Sequence, residues 1–498
     1  MYLTFDVGTT AIKTCIFRQD LTLAAGRSDE YDLITENSHV ELECDTYWRT
    51  MCRAVVQLGE KVPLDQVRAI CITTQGETMI PVDANGIPLH NAVVWLDDRA
   101  RAQAVQISQV LSTEALHRHT GLPEVNGFLP LAKLLWFRQA KPEIYKKAEK
   151  FLLLEDYLLL KLTGKAVTEK SLQTSTGWFD IRRDGYWTEL LAQLDLDVQK
   201  LPLLMECGSL AGNILPEAAR DLGLSNDVQI VTGAMDQVAA ALGGGLRSNA
   251  VTATVGTAMA ITCSVPEEHA FRDPSMTVYR GLEAGQFILL PYCATAGVVF
   301  KWLKDTVCTQ EIAICHQTGE NIYDRLCAMA AEVPAGALGV TMLPYFSGSI
   351  QPRQLPKAKG VFFGLGLDID RAVMVRAVLE SVGFMLRENL EMLRRFGVTP
   401  EQITFFGGGS KNPVWNQIIA DITGIPLVTL QQEECGSLGA AMLAAAALEQ
   451  EAFCKNPTQQ QFIPDAENQQ LYDRCYRRYL RLFDALEPIY QDEGGTSQ

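Results

Sequence analysis

A turn near the start of the chain combines residue types that bind phosphate. Asp6-Val7-Gly8-Thr9-Thr10 places a glycine and two hydroxyl side chains directly after an apolar run that ends in a carboxylate. Hydroxyls and main-chain N–H groups can hold phosphate oxygens without a lysine loop. A carboxylate beside phosphate implies Mg²⁺ between them, because the like charges would otherwise repel. We predict phosphate contacts from Gly8, Thr9 and Thr10 with Asp6 near the metal; the alternative is an ordinary hairpin turn with Asp6 exposed.

The same pattern recurs near the middle of the chain. Thr254-Val255-Gly256-Thr257 repeats the strand and Gly-Thr turn, with Gly256 lying 248 residues after Gly8. Self-similarity at so long a period indicates duplicated architecture. We predict a second phosphate turn at Gly256 and Thr257. The glycine run at 243–245 suits a hinge, so the expected domains are 1–243 and 244–498.

A further carboxylate follows a predicted buried strand at residues 228–232. Gly233-Ala234-Met235-Asp236 leads into an Ala-rich segment, which predicts Asp236 at the N-terminus of a helix. The helix dipole favours a carboxylate there, so a cap is one interpretation. The other is a general base that accepts the proton of a substrate hydroxyl during phosphate transfer.

Two polar segments end apolar runs in the first half of the chain. Gln75-Gly76-Glu77 and the Trp95-x-Asp97-x-Arg99 pattern could hydrogen-bond a polyhydroxylated ligand. A structural salt bridge between Arg99 and Asp97 or Asp98 is an equal alternative. The pair His117 and His119 could suggest a metal site, but alternate residues on a helical turn point apart, so we expect ordinary surface histidines.

A glycine-rich turn in the second half suits adenosine or its phosphates. Gly407-Gly408-Gly409-Ser410 follows a predicted strand at 403–406 and precedes a predicted helix at 413–423 that Asn412 caps. The turn is not a Gly-x-Gly-x-x-Gly fingerprint, and the chain has no P-loop motif. The missing fingerprint argues against a dinucleotide-dependent oxidoreductase.

Alternating strand and helix patterns must position these residues. Strands are predicted at 2–7, 12–17, 67–74 and 427–430, helices at 47–59, 371–396 and 437–449, and a mostly helical lobe at 114–164. This rhythm predicts an α/β fold with parallel sheets, whose ligands lie beyond the carboxyl ends of the strands.

Composition limits the classes of partner. The 498 residues carry 43 Lys and Arg against 59 Asp and Glu, a net charge of −16 that would repel nucleic acid and anionic membranes. The N-terminus shows no secretion signal, and the 13 cysteines form no Cys-x-x-Cys pair. We expect a cytoplasmic protein with free thiols and neither nucleic-acid nor membrane partners.

In order and spacing, these motifs resemble the FGGY carbohydrate kinases. Residues 6–10 and 254–257 are similar to the family's two phosphate motifs, residues 406–412 to its adenosine motif and residues 233–245 to the segment that holds its catalytic aspartate. Residues 343–348, 359–365 and 437–441 resemble further motifs of its second domain. The resemblance spans essentially the whole chain and implies two ribonuclease-H-like domains around a cleft.

The resemblance also implies residue roles. An FGGY kinase would use ATP and Mg²⁺ to phosphorylate a hydroxyl of a sugar or polyol, with Asp236 as the base and Asp6 near the metal. Thr9, Thr10, Gly256 and Thr257 would contact the phosphates, and Gly408, Gly409 and Asn412 would line the adenosine site. The resemblance leaves open whether the protein forms a homodimer.

The expected acceptor is a pentulose such as xylulose, or a related ketose or polyol. Glycerol kinases carry arginine at the position of Gly76, and xylulokinases carry Met-His-Gly after the residue that corresponds to Gln75; this chain departs from both. The Trp95-x-Asp97-x-Arg99 pattern is closer to xylulokinase. The residues expected to contact the acceptor have polar or aromatic side chains: Gln75, Glu77, Asp97, Arg99, Asp236, and Asn126 or Phe128. The alternatives are a glycerol- or erythritol-type polyol kinase and a non-catalytic, nucleotide-gated sugar sensor on the same fold.

Overall fold

The chain divides into two compact units. The structure, a computed structural model, describes residues 1–246, 250–283, 285–449 and 456–492. Unit 1 comprises Met1–Gly243, Pro266–Leu289 and Glu434–Lys455, and unit 2 comprises Gly244–Val265, Leu290–Glu433 and Asn456–Gln498. Two later segments thus group with the first 243 residues by their contacts. The predicted domain division at 1–243 and 244–498 stays a prediction.

Most strands are short, and they fall into several sheets. Those up to residue 231 are β1 Tyr2–Val7, β2 Ala11–Phe17, β3 Leu23–Glu30, β4 Ile34–Glu36, β5 His39–Leu42, β6 Ala69–Thr74, β7 Met79–Val82, β8 Ala92–Val93, β9 Lys150–Leu153, β10 Val167–Glu169, β11 Phe179–Asp180, β12 Gly185–Tyr186, β13 Leu203–Met205, β14 Leu210–Asn213 and β15 Gln229–Val231. The later strands are β16 Val251–Val255, β17 Met259–Pro266, β18 Val278–Arg280, β19 Gln286–Leu289, β20 Tyr292–Cys293, β21 Thr341–Leu343, β22 Val361–Phe363, β23 Ile403–Phe406, β24 Leu427–Leu430 and β25 Thr458–Phe462.

Helices alternate with these strands along the chain. Those of the first half are α1 Cys44–Gly59, α2 Arg101–Val110, α3 Thr113–Thr120, α4 Pro130–Ala140, α5 Pro142–Lys147, α6 Leu154–Thr163, α7 Lys170–Gln173, α8 Thr188–Gln193, α9 Pro216–Leu222 and α10 Asp236–Gly243. The later helices are α11 Glu267–Ala270, α12 Gly297–Val307, α13 Thr309–Thr318, α14 Ile322–Ala331, α15 Arg371–Leu393, α16 Pro413–Thr423, α17 Cys435–Glu449 and α18 Ala466–Asp492.

The main sheet of unit 1 has the strand order β14-β15-β6-β1-β2-β3. Strands β15, β6 and β1 run parallel, while β14, β2 and β3 are antiparallel to their neighbours. β1 and β6 consist mainly of apolar residues because they lie in the centre of the sheet, where both faces are covered. A smaller sheet, ordered β4-β5-β8-β7-β9, completes the strand framework beside it.

The sheet of unit 2 repeats this pairing. β24, β23 and β16 are parallel neighbours, flanked by the antiparallel strands β25 and β17. In both units a strand is followed by a Gly-Thr turn and an antiparallel strand. Later in the chain, one strand pairs in parallel with the first, and another pairs in parallel with that one. The internal repeat predicted from Gly8 and Gly256 is therefore confirmed, as is the α/β class.

Local signals placed several elements correctly. β1, β23, β24 and α16 have the predicted bounds, and α16 begins after Asn412, whose side chain accepts a hydrogen bond from the N–H of Val414. One prediction was wrong in part: residues 151–153 of the expected helical lobe form β9, which pairs with β7. Within the described residues, no helix is both long and apolar enough to cross a membrane.

Candidate active site

The predicted site residues of unit 1 converge at one sheet edge. The carboxyl ends of the parallel strands β1, β6 and β15 lie side by side, and polar turns leave each of them. The N–H of Gln75, after β6, donates to the carbonyl of Val7 in β1, and Thr74 bridges to Met235 in the loop after β15. This edge is where ligands of open α/β sheets bind.

The first turn is a tight hairpin held from two sides. The N–H of Gly8 donates to the carbonyl of Ala11 at 3.0 Å, and the hydroxyl of Tyr31 donates to the carbonyl of Gly8. The indole N–H of Trp95 donates to the hydroxyl oxygen of Thr9 at 2.8 Å. Thr10 remains exposed. Trp95 thus joins the first turn to the segment after β8.

Asp6 is not an exposed turn residue. Burial raises the pKa of Asp6 to about 6, and the nearby Lys13 opposes this shift. Lys13 is itself paired with Glu434 at 2.6 Å. A Cβ atom at Gly436, in the first turn of α17, would lie 2.7 Å from a carboxylate oxygen of Asp6. The chain therefore packs closely around this carboxylate.

Asp236 is the first residue of α10, as predicted. Its carboxylate accepts a hydrogen bond from the N–H of Gln237 at 2.6 Å. Burial, followed by the charge of Asp6, raises the pKa of Asp236 to about 7; Glu77 adds to the increase and the N–H of Gln237 opposes it. A carboxylate with such a pKa can exchange a proton near neutral pH.

Glu77 joins this group through an unusual backbone and a buried lysine. Its φ of 56° lies in the left-handed region, which costs a residue with a side chain about 1–3 kcal/mol. The ammonium group of Lys133, fully buried on α4, donates to the carbonyls of Val94 at 2.9 Å and Glu77 at 3.1 Å. Burial raises the pKa of the Glu77 carboxyl, and the charge of Lys133 opposes this. Lys133 therefore braces the two segments that carry Glu77 and Trp95.

Asp97 and Arg99 form the salt bridge that the sequence left as an alternative. Two guanidinium nitrogens of Arg99 donate to the two Asp97 oxygens at 2.7 and 2.6 Å, and Arg99 also donates to Glu41 at 2.6 Å. Asp97 also accepts from the N–H of Val40, and the Arg99 side chain is only 2% exposed. The pair fixes the turn that carries Trp95.

The remaining acceptor candidates differ in exposure. Gln75 is buried, whereas Phe128 is exposed and its N–H donates to the Asn126 side chain.

Tyr279 is a site residue that sequence reasoning missed. It lies on β18 between Val278 and Arg280. The N–H of Val278 donates to the carbonyl of Gly121, and the N–H of Arg280 donates to the hydroxyl oxygen of Thr174. Tyr279 is 8% exposed, and burial followed by the charges of Glu77 and Asp236 raises its pKa far above the ordinary value. An alternating Val-Tyr-Arg strand pattern carries no signal that its tyrosine approaches two carboxylates. Lys133 was missed for a similar reason, since it lies in the apolar run of α4.

Unit 2 contains a cavity of about 430 Å³ at the corresponding edge of its own sheet. The nucleotide residues predicted in this unit line it: Gly256, Thr257, Gly408, Gly409 and Asn412. Gly8, Thr9 and Thr10, the other predicted nucleotide residues, do not. The rings of Phe300, Tyr323 and Trp415 form its aromatic wall, with Phe300 packed edge-on against the other two. Asn412 both caps α16 and donates to Asp324 at 2.9 Å.

Two glycines in this cavity leave open space that a ligand can occupy. A Cβ atom at Gly256 would meet no atom within 4 Å, and one at Gly408 would meet only a carbonyl at 3.9 Å. At Gly409, by contrast, a Cβ atom would lie 2.8 Å from Val255. Gly409 is thus required by packing, whereas Gly256 keeps the cavity open. An aromatic wall with an open glycine turn fits a nucleotide base and its phosphates.

The described residues contain no group of three or more His, Cys, Asp or Glu side chains that could enclose a metal ion. Mg²⁺ does not require one, because it usually keeps several waters and binds one or two carboxylates together with substrate phosphates. Asp6 fits that role.

The prediction of two surface histidines was wrong for His117, which is buried with a ring nitrogen 2.9 Å from the Met276 carbonyl. The His119 side chain is 27% exposed and stacks on Trp187 beside Asp180.

Comparisons with known proteins agree with this geometry. Residues 1–243 match the N-terminal domain model of the FGGY family of carbohydrate kinases, and residues 249–448 match its C-terminal domain model. The xylulose kinase of Escherichia coli strain K12 is 29% identical over 98% of this chain and 100% of its own. Structures of a xylulose kinase and a gluconate kinase from Lactobacillus acidophilus each superpose with a TM-score of 0.88 at 25% identity. They cover 99% of this chain and 100% and 99% of their own.

Matches to both domain models, over most of the chain, show the family and confirm the predicted two-domain sugar-kinase fold. Its members transfer phosphate from ATP, with Mg²⁺, to an alcohol group of a carbohydrate. The chain belongs to the FGGY family of carbohydrate kinases, and it is a xylulokinase-like phosphotransferase of carbohydrate metabolism.

Proposed function

We propose that the acceptor is a neutral ketose, specifically a pentulose such as xylulose, or a related polyol. The observation that carries this proposal is the charge of the sheet edge in unit 1. Glu77 and Asp236 contribute carboxylates, and Tyr279 contributes a hydroxyl. Carboxylates accept hydrogen bonds from sugar hydroxyls, and sites built on such bonds discriminate strongly between substrates.

Four basic side chains of unit 1 lie close to Glu77, Asp236 or Tyr279 in space or in sequence. Each of the four already binds another group of the protein. Lys133 is bound to main-chain carbonyls and Arg99 to Asp97 and Glu41, while Lys13 pairs with Glu434. Arg280, next to Tyr279, pairs with Asp184 at 2.5 Å. An aldonate such as gluconate would bring its own carboxylate to this edge, and none of these four cations is free to receive it. The charge distribution therefore favours a neutral acceptor.

Glycerol is disfavoured by the packing at Gly76. A Cβ atom there would lie 2.9 Å from the hydroxyl oxygen of Ser175, so the arginine expected of glycerol kinases would require the Ser175 side chain to move. The likeness to xylulose kinases over nearly the whole chain supports a pentulose.

In the proposed reaction each residue has one role. Asp236 accepts the proton of the acceptor hydroxyl, and Glu77 and Tyr279 orient the sugar by hydrogen bonds. Gly8, Thr9, Thr10, Gly256 and Thr257 bind phosphate oxygens, and the cavity with Gly408, Gly409 and Asn412 binds adenosine. Asp6 would hold Mg²⁺, which would supply positive charge that neutralises the phosphates. Asp97 and Arg99 act on the acceptor through the turn that presents Trp95. Positioning and charge stabilisation are the main demands of phosphoryl transfer.

The thiols support a reducing compartment. The cysteines in the described part of the chain, among them Cys207 and Cys475, form no disulfide bond. Proteins of oxidising compartments commonly pair such residues, so we propose that the enzyme acts in the cytoplasm.

The test is ADP release over a panel of ketopentoses, alditols and aldonates, with Asp236→Asn as the matched control. A neutral ketose or alditol should give the highest kcat/KM, and the control should be inactive with all acceptors. Preference for an aldonate would refute the neutral acceptor. Tight nucleotide binding with no turnover over the whole panel would support the sugar sensor instead.

A further inference from the structure

The loop that leads to Asp236 is held by side chains from three other elements. The N–H of Gly233 donates to a carboxyl oxygen of Glu155 on α6 at 2.9 Å. The N–H of Met235 donates to the hydroxyl of Ser171 on α7 at 3.0 Å, and the hydroxyl of Thr73 on β6 donates to the carbonyl of Ala234 at 2.6 Å. All three hydrogen bonds are buried, so the loop backbone has no water to replace them.

Glu155 occupies an unfavourable position for a carboxyl group. Its side chain is fully buried, and its second oxygen has no hydrogen-bond partner among the described residues. Burial, together with repulsion from Glu169, raises its pKa well above the ordinary value and favours the uncharged form. An apolar side chain would avoid the cost of burying this group. Residues that are costly to the fold are found preferentially where function requires them.

Ser171 is oriented by a second buried carboxylate. Its hydroxyl donates to Glu169 at 3.0 Å, and Glu169 also accepts from the N–H groups of Ser171 and Leu172 at 2.6 Å each. With its proton directed at Glu169, the Ser171 oxygen presents a lone pair to the N–H of Met235. The thiol of Cys207 lies 2.7 Å from Glu169 and is the last member of this hydrogen-bond network.

Close packing against β6 restricts the position of the loop backbone. A Cβ atom at Gly233 would overlap the carbonyl of Ile72, so the loop lies directly against β6. Asp236 follows Met235 immediately and begins α10. Any displacement of the loop would therefore move the Asp236 carboxylate, and misplacement of a reacting group by about 1 Å can reduce a rate by about 100-fold.

We propose that Glu155 and Ser171 are positioning residues that hold the Gly233–Met235 loop so that Asp236 can accept the acceptor proton. This inference rests on the proposed role of Asp236 as the base. Neither residue touches substrate; both act through the loop backbone. The role requires an oxygen acceptor at each position and does not require a charge.

The test compares four variants by steady-state kinetics and thermal unfolding. Glu155→Met removes the acceptor at nearly constant volume and should lower kcat about 10- to 100-fold, with the KM for ATP unchanged. Glu155→Gln retains an oxygen that accepts from Gly233 and should restore most of kcat. Ser171→Ala should lower kcat in the same way. Asp156→Ala is the control: this buried carboxylate caps its own helix through the N–H of Leu153 and should lower only the thermal midpoint.

Each outcome decides the inference. Wild-type kcat in both Glu155→Met and Ser171→Ala, or equal losses in Glu155→Met and Glu155→Gln, would overturn it. If Glu155→Met does not fold, Ser171→Ala, which removes one hydroxyl, decides alone. Asp236→Asn separates this inference from the proposed function: an active Asp236→Asn refutes both. An inactive Asp236→Asn with normal positioning variants refutes only the positioning role.

Discussion

Asp236 has the position and the acidity that a general base requires. It begins a helix, and its pKa of about 7 matches a proton transfer at neutral pH. Asparagine at this position keeps the shape but cannot take the proton. We expect Asp236→Asn to lower kcat about 100- to 10,000-fold while ATP binding, measured by calorimetry, stays unchanged. Near-normal turnover would exclude Asp236 as the base.

The raised pKa of Asp236 predicts an acid limb in the pH profile. Below pH 7 the protonated carboxyl cannot accept a proton, so kcat should fall by about tenfold for each pH unit as the pH drops from 7 to 5. Stability follows the opposite sign: the folded-state pKa lies above the ordinary 3.8, so protonated Asp236 stabilises the folded chain at low pH. That contribution is lost as the pH rises through about 7. A kcat profile at saturating substrate that is flat over this range would contradict the assignment.

Gly256 and Gly409 offer a matched pair for separating ligand binding from packing. Valine at Gly256 would enter open space in the unit 2 cavity, so the thermal midpoint should stay the same and the KM for ATP should rise about tenfold, or about 1.4 kcal/mol. Valine at Gly409 would meet Val255 and should destabilise the fold by about 1–3 kcal/mol. An unchanged KM in Gly256→Val would show that phosphate does not approach this glycine.

At the residue scale, sequence located chemistry that follows local signals and missed chemistry that depends on tertiary packing. Asp236 was visible because it follows a strand and a glycine at the start of a helix. Lys133 was invisible because it interrupts an apolar helix, and only the fold directs its ammonium group to the carbonyls of Glu77 and Val94. Arg99 left two interpretations open, since its spacing from Asp97 suits both a ligand and a salt bridge.

At the scale of elements, β18 shows how a late segment contributes to unit 1. Arg280 on this strand is 8% exposed and binds Asp184 at 2.5 Å and Glu206 at 2.9 Å. Charge-assisted hydrogen bonds that are shielded from water contribute about 1.5–3 kcal/mol each, and the half-exposed Glu206 contributes less than Asp184. We expect Arg280→Met to loosen β18, displace Tyr279 and raise the KM for the acceptor, with the KM for ATP unchanged.

Arg182 provides the control for that variant. It pairs with Glu267 ahead of the same strand, but both side chains are about half exposed, and exposed pairs contribute about 0–1 kcal/mol. Arg182→Met should therefore leave both KM values unchanged. Equal acceptor KM values in the Arg280 and Arg182 variants would show that β18 does not shape the acceptor site.

Helices with clear capping signals at their ends were predictable from the sequence. Strands that form only through pairing with another strand were not. Helix α16 begins at a capping asparagine and a proline and ends at Gly424, whose φ of 67° stops the helix. Residues 151–153 gave no such signal, because a short apolar run next to a helix looks the same in either state. Only pairing with β7 makes them a strand.

At the scale of the whole molecule, duplication explains why each unit has its own ligand edge. Both sheets place a Gly-Thr turn after a central strand with two further parallel strands beside it. The repeat was readable from the 248-residue offset of Gly8 and Gly256. The membership of Pro266–Leu289 and Glu434–Lys455 in unit 1 was not, because sequence order does not report which segments touch.

The net charge of −16 is accompanied by an excess of carboxylates at the proposed acceptor edge of unit 1. Glu77 and Asp236 leave the acceptor edge acidic while its neighbouring lysine and arginines are bound to protein groups. This distribution suits a neutral polyhydroxylated acceptor, with Mg²⁺ balancing the charge of ATP.

The most direct test of the account is to identify the product. Purified enzyme is incubated with ATP, Mg²⁺ and xylulose, and the sugar fraction is analysed by mass spectrometry beside the same reaction with Asp236→Asn. We expect the wild-type enzyme to form a xylulose monophosphate in equal amount to ADP, and the variant to form none. ADP formed without any phosphorylated sugar, or sugar phosphate formed equally by Asp236→Asn, would contradict it.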